Sequence, residues 1–382
     1  LVIFLFSIAG VCASDVNDMP IASEDANQIE LSSNNEITED NLQTSEENTT
    51  LAQANDDECV IAEKTISNMK YPMTFTQLEK DINESQNTFE ILYDYTFNNE
   101  SDDGQVVIKK SNFAINGNNH IVDGNGQSGI FNITGNNVTI NNLVFINGNS
   151  TKGGAIFSTR QITLNNVTFI NYNASYGGAI CSNGELTLNN ATFINNNATF
   201  GGAIACFGKI LNICNSFVTS NMTSTYGQIY SFGSTVNIDN SEFINISSVY
   251  ASAIYLEISE SSIINSRFVN LTAEKTAGAI AVRWSGTSYI KGCEFINTKS
   301  FKNAGAILVD YGMEFYNATI IDCVFYNASS MFGGAYIQLG GNLILNSSNF
   351  TNSKAHVGGA VYISFANSTI DNCIFDSNEL TD

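Results

Sequence analysis

The chain has 382 residues, of which only 14% are charged and 2 are proline. Its net charge of -22 argues against nucleic acid as a partner, because phosphate binding needs clustered Lys and Arg. Most of the rest is Asn, Ser, Thr, Gly, Ile and Phe, a vocabulary of strands and turns.

Leu1 to Gly10 is almost wholly apolar, and Val11-Cys12-Ala13 places compact residues where a signal peptidase reads. The run is too short to span a bilayer, so residues 1–13 are expected to be a secretory signal. A basic n-region and an initiating Met are missing from it, so the chain is expected to begin inside that signal. Residues 14–58 are acidic, and no Lys or Arg precedes Lys64. This stretch is poor in aromatics and cannot bury enough apolar surface to offset its chain entropy, so it is expected to be a disordered linker.

Residues 59–105 are expected to cap a solenoid, whose first rung would otherwise expose unpaired backbone groups. Thr76-Gln77-Leu78-Glu79 reads as a capping box, and Phe75, Leu78 and Ile82 follow helical spacing. A short amphipathic helix over residues 71–83 is therefore predicted.

From Val106 the pattern changes to strands. Gly153-Gly154-Ala155-Ile156 recurs at Gly177 and Gly201, with worn copies at Gly227, Ser252, Gly278, Gly305, Gly333 and Gly358. The partner phenylalanines are Phe145, Phe169, Phe193, Phe217, Phe243, Phe268, Phe295, Phe325, Phe350 and Phe375. A period of about 24 to 30 residues is the signature of a solenoid. Within one coil, Ile162-Thr163-Leu164 and Val167-Thr168-Phe169 alternate apolar and polar residues around Asn165-Asn166. That is period-2 strand patterning broken by a corner residue that tolerates left-handed backbone. Residues 106–382 are thus predicted to form an all-β, right-handed parallel β-helix of about ten coils, with the phenylalanines in one inward column. The chain ends in mid-repeat at Asp382, so the array is expected to be incomplete there.

Gly-Gly-Ala-Ile paired with Phe-x-Asn resembles the repeat of polymorphic outer membrane proteins. Here Phe193-Ile194-Asn195-Asn196 fits the longer Phe-x-x-Asn form, while most copies are Phe-x-Asn. The stretches Ile115 to Gly124 and Val138-Thr139-Ile140-Asn141-Asn142 resemble opening coils of adhesin-like proteins from methanogenic archaea. The resemblance covers Gln105 to Asp382. It implies a secreted, surface-exposed β-helix at the cell envelope with adhesive function, and names no ligand. Envelope association is expected through a region absent from this chain.

Parallel β-helices also carry carbohydrate-active enzymes, so catalysis is the rival reading. Such enzymes need paired carboxylates, or a base beside a carboxylate-bound cation. Arg160, Arg267 and Arg283 lie in different coils, and Asp239, Asp322 and Asp371 read as corner residues. His120 and His356 lie at opposite ends, so neither a metal nor another cofactor is expected. A third reading is a passive spacer in the envelope. The 8 cysteines show no metal spacing. Cys293, Cys323 and Cys373 each stand two residues before their Phe. They are expected in one inward column as small apolar residues and free thiols.

Asn149, Asn173, Asn197, Asn221, Asn245 and Asn270 head Asn-x-Ser/Thr sequons at nearly coil spacing, and are candidate glycosylation sites in one exposed column. The widest repeat spacing, between Gly278 and Gly334, contains Arg283, Trp284, Tyr289, Tyr311, Phe315 and Tyr316. Aromatics give large contact energy for little side-chain entropy. This set is the candidate contact face for a cell-surface or extracellular glycan or protein ligand.

Overall fold

The computed structural model describes residues 73–284, 286–310 and 316–382, Tyr316 by its backbone alone. The expected signal, the acidic linker and residues 59–72 of the cap lie outside them.

The described chain is a three-faced parallel β-solenoid of about eleven turns. One face is a sheet of eleven strands, from Val106–Ile108 to Val361–Ser364. The other two faces merge into one sheet of 21 strands. They merge because strands such as Ile162–Ile170 run through the corner between them without a break. Along a coil, the first face (Ile162–Asn165) turns into the second (Val167–Ile170). A long corner then leads to the third (Ile180–Ser182). Parallel pairing in register sets each residue above its counterpart one coil away, about 4.8 Å along the axis.

The first corner sits at a left-handed residue in coil after coil: Asn142, Asn166, Asn190, Asn215, Asn240, Asn265, Gly292, Asp322, Ser347 and Asn372, with φ between 46° and 62°. Asn dominates because its short amide tolerates this conformation better than other side chains with a Cβ. The amides also bond up the stack. Asn166 Nδ2 donates to Asn142 Oδ1 at 2.7 Å, and Asn190 Nδ2 to Asn166 Oδ1 at 2.9 Å. The second left-handed site explains Phe-x-Asn. Asn147, Asn171, Asn195, Asn245, Asn270, Asn297, Asn327 and Asn352 all have φ between 51° and 62°. The Phe points inward, the next residue outward, and the Asn starts the long corner.

The glycine pair closes that corner, and its two members do different work. Gly177 has φ +60°, where a side chain is strained. At Gly178 a Cβ would overlap the carbonyl oxygen of Gly202 in the next coil. One glycine permits the turn, and the other permits the close approach of coils.

The inward column has one correction. Phe145, Phe169 and Phe193 stack with centroids 5.0 Å apart. Phe243, Phe268, Phe295, Phe325, Phe350 and Phe375 form a second stack at 4.5–5.0 Å. Between them the column is held by Val218, in register with Phe193 and Phe243, and not by Phe217. The column position is the third residue after the left-handed corner. After Asn215 that residue is Val218, and a one-residue offset puts Phe217 on the other side of the strand. Phe217 is only half-buried, whereas Val218 is 1% exposed.

The residue just after the first corner forms a second internal column: Ser216, Ser241, Ser266, Cys293, Cys323, Ser348 and Cys373. Each serine hydroxyl donates to the carbonyl two residues back, as from Ser241 Oγ to Asp239 O at 2.9 Å. It also accepts a backbone N–H from the coil before, as from Ser216 N at 3.1 Å. Cys293, Cys323 and Cys373 are free thiols. They are more than apolar fillers, because Cys323 Sγ reaches Ile321 O at 3.3 Å and Cys373 Sγ reaches Asp371 O at 3.2 Å. They occupy serine positions in serine geometry.

The helix α1 runs over Phe75–Glu84 and buries Phe75, Leu78 and Ile82, as their spacing predicts. Its cap is Thr74, whose Oγ1 accepts from Gln77 N at 3.3 Å, so the N-cap lies two residues before Thr76, and the Gln77 side chain donates to Asp81 instead of completing a capping box. Both ends are tied to the solenoid. The Asp102 carboxylate accepts from the backbone N–H of Phe75 (3.1 Å), Thr76 (2.8 Å) and Asn98 (2.8 Å). The Lys110 ammonium donates to Ile82 O at 2.8 Å and to Ser85 O. An anion at the N-terminus and a cation at the C-terminus complement the helix dipole.

Candidate functional site

The chemistry not used for folding gathers on the long corner between the second and third faces. From Asn147 to Gly359 the corner segments hold five lysines (Lys152, Lys275, Lys299, Lys302 and Lys354) and one acid, Glu274. The rest of residues 147–359 carries 5 Lys and Arg against 9 Asp and Glu, so the corner reverses the local sign of charge. Lys354 is paired with Glu379 at 3.0 Å. Among the described residues, no carboxylate lies within ion-pairing distance of the other four lysines.

Aromatics share the corner. Tyr176, Phe200, Tyr226 and Tyr250 stack along the axis with centroids 4.6–4.9 Å apart and planes within 6°. They stand immediately before the closing turn of successive coils, at Gly177, Gly201, Gly227 and Ala251, so strand register alone lines them up. Stacking closes their faces to one another, and the column offers ring edges and phenol oxygens to the outside. The column continues into cations. Lys275 Nζ lies 5.0 Å from the Tyr250 centroid, and Lys299 Nζ lies 4.4 Å from that of Phe301. Phe301 is 58% exposed, and Met331, Phe332 and Val357 are exposed on the following coils.

The adjoining outer side of the third face carries a polar network. Along strand Ile204–Phe207, Ile204 and Cys206 join the internal core while Ala205 joins a second cluster outside it. Tyr230 and Tyr255 belong to that outer cluster. Tyr230 Oη donates to Glu257 Oε2 at 2.7 Å. Burial, with Glu257 adding to it, pushes the Tyr230 phenol well up. Arg283 donates to Tyr255 Oη at 3.3 Å and pairs with Asp310 at 2.8 Å. Burial pushes the Tyr255 phenol up to about 12, even with Arg283 opposing the shift. Burial alone would lower the Arg283 guanidinium, but Tyr255 and Asp310 outweigh it and hold it up.

The structure distributes the sequence candidates over several sites. Arg283 ends a third-face strand, and Trp284 turns the next corner at φ +75° with 56% exposure. Gly208, Gly233 and Gly340 also turn between these faces in the left-handed region, so Trp284 holds a conformation that costs a bulky residue of order 1–3 kcal/mol. The Arg283 guanidinium lies 5.6 Å from its ring centroid. Tyr289 lies beyond that corner, half-buried on the outer side of the first face. Tyr311 and Phe315 lie outside the described residues, as does the side chain of Tyr316.

The six sequon asparagines all lie on the long corner, in two columns with Asn221 between them. Asn149, Asn173 and Asn197 share a register. Asn245 and Asn270 are the left-handed residues of their corner, and Asn270 Nδ2 donates to Asn245 Oδ1 at 3.0 Å. Asn221 donates its backbone N–H to Asn195 Oδ1 at 3.1 Å.

Asp322 is a left-handed corner residue, and Asp239 and Asp371 precede such residues. His120 Nδ1 is 3.0 Å from Asp94 Oδ1, and His356 Nδ1 is 3.0 Å from Thr381 Oγ1. Among the described residues, no three His, Cys, Asp or Glu side chains gather as a metal would need.

No family model matches the chain, and no curated protein matches it. Two solved structures resemble it: the SRRP of L. reuteri 53608 and the SRRP of L. reuters 100-23. The first is 13% identical and covers 80% of this chain and 98% of its own. The second is 14% identical and covers 80% and 94%. Both have a TM-score of 0.36, and neither likeness bears on what this chain does.

Proposed function

We propose that this chain is an adhesin-like protein exposed at the cell surface and secreted through its N-terminal signal. It works as a non-catalytic display scaffold, and the long corner with the adjoining third-face network is its contact surface. The observation that carries this reading is the gathering of unpaired lysines and exposed aromatics onto one corner of an acidic chain. Exposed aromatics and Met are enriched in contact surfaces, and the unpaired lysines give this corner a sign of charge opposite to the rest of these coils. The likeness of its repeats to adhesin-like proteins of methanogenic archaea supports the same reading. The sequons on this corner would carry glycans in a host that makes them.

The test is a cell- and matrix-binding assay with the full chain. Phe301→Ser with Phe332→Ser should lower binding at least tenfold, while Thr287→Ala on the first face should not. Equal binding by both variants would move the contact surface elsewhere. No binding to any cell or matrix would remove the adhesin reading.

A further inference from the structure

We infer that the long corner holds a linear anionic polysaccharide, gripped through its carboxylate or sulfate groups by Lys275, Lys299 and Lys302. The inference rests on the contact surface proposed above and names its ligand class.

Three observations converge. The first is charge. Outside this corner, residues 147–359 carry 9 Asp and Glu against 5 Lys and Arg, so an anionic polymer finds its most favourable approach at the corner's local excess of cations. The second is preparation of those cations. The three lysines are exposed and lie on adjacent coils. Lys275 and Lys299 are already held near aromatic rings, 5.0 Å from Tyr250 and 4.4 Å from Phe301. A ring partner leaves an ammonium its full charge, whereas a carboxylate partner would neutralise it. Lysine also suits an irregular row of anions, because it acts as a point charge and not as a planar fork. The third is shape and apolar contact. Lys275 stands on one coil and Lys299 and Lys302 on the next, about 4.8 Å along the axis, on an outward corner instead of in an enclosing pocket, and exposed Phe332 and Val357 continue that corner on the following coils. That geometry fits an extended polymer lying along the solenoid better than a small ion. Phe301, 58% exposed, and Phe332, 36% exposed, lie beside Lys299 and Lys302 and offer ring surface to sugar C–H groups.

The experiment measures binding of the full chain to immobilised alginate, dextran sulfate, neutral dextran and single-stranded DNA. Wild type should bind alginate or dextran sulfate, whichever anion the site prefers, and should not bind neutral dextran. Raising salt from about 50 to about 200 mM should weaken binding about tenfold, since each lysine contact releases counterions. The Lys275→Gln/Lys299→Gln/Lys302→Gln variant should lose at least tenfold. Lys209→Gln, which removes a lysine beside the opposite corner, should change binding less than twofold. The melting temperature of the triple variant checks that these exposed changes leave the fold intact. Unchanged binding by the triple variant, or equal binding to neutral dextran, overturns the inference. Single-stranded DNA bound as tightly as the glycans also overturns it, in favour of an indiscriminate polyanion surface. Cell adhesion that persists without binding to either acidic glycan overturns the ligand class and leaves the adhesin reading standing.

Discussion

Phe268→Ala probes the internal ring column at a position flanked by rings on both sides. The side chain is 0% exposed and stacks on Phe243 at 5.0 Å and on Phe295 at 4.8 Å. Truncating a buried Phe to Ala costs about 3–5 kcal/mol through lost transfer energy and the cavity left behind. Two ring–ring contacts of about 0.5–1.5 kcal/mol each are lost as well, so the cost should fall in the upper part of that range. Phe193→Ala is the internal comparison. It loses one ring partner, Phe169, and faces Val218 on its other side, so it should cost about 1 kcal/mol less. The assay is denaturant unfolding with the midpoint compared at fixed slope. Single-probe melts can miss loss of cooperativity in a repeat array, so hydrogen exchange of the neighbouring coils should accompany them. A cost below about 1 kcal/mol for Phe268→Ala would refute the column as core. Equal costs at both positions would refute the share assigned to ring stacking.

Four further outcomes follow from the structure. Phe217→Thr with Val218→Phe rebuilds the Thr-Phe order of the coil before and joins the two ring stacks. It should raise stability by about 1–2 kcal/mol in denaturant melts, and destabilisation would show that the column narrows at Val218. Cys293→Ser should change stability by under about 1 kcal/mol, because serine fills the same position in other coils. The native Cys293 and Cys323 thiols, at most 1% exposed, should resist a thiol reagent until the chain unfolds, and fast native labelling would contradict their burial. Asp102 has opposing influences: burial raises its pKa, but three backbone N–H donors outweigh burial and lower it below 3.8. A carboxyl lowered in the folded state stabilises above its unfolded pKa, and that contribution fades as pH falls through the folded value. Loss of α1 signal below about pH 4 should therefore be shallower in Asp102→Asn, which starts less stable at neutral pH; identical acid limbs would rule Asp102 out as the helix anchor.

The architecture was legible because its determinants are local and repeated. Corner asparagines, glycine pairs and period-2 strands each constrain a few neighbouring residues, and repetition multiplies the signal. Phe-to-Phe spacing points to Phe217, while the structure keeps count from the left-handed corner; counting three from Asn215 gives Val218. The helix cap falls at Thr74 and not at Thr76, two residues later, because the two threonines are equivalent as sequence. What separates them is the distant Asp102, which claims the Thr76 N–H. The site was less legible. Arg283 and Trp284 were found through an irregular spacing, but the row Tyr176, Phe200, Tyr226 and Tyr250 was passed over. Its signal was present as an aromatic immediately before the closing turn of four successive coils. The lysines of the long corner lie up to eight coils apart, and their common placement emerges only once the coils are stacked in register.

Placement of function on the long corner has a physical basis in the solenoid itself. On the strands, inward residues are fixed by core packing and outward ones must tolerate a neighbour about 4.8 Å above and below. The first corner is further bound by its asparagine ladder. The long corner meets its backbone demands with a left-handed Asn at one end and a glycine or other small residue at the other, which frees the side chains between them. Its length also varies: Asn195 to Gly202 spans the same corner as Asn270 to Gly278 and Asn297 to Gly305, with one residue fewer. The three lysines and Phe301 fall in those two longer segments. Insertions in a repeat array are cheap where loop closure is already satisfied by the flanking strands. A chain under selection to contact something outside itself can therefore change this corner coil by coil, with the core column, the asparagine ladders and the serine–cysteine column left intact.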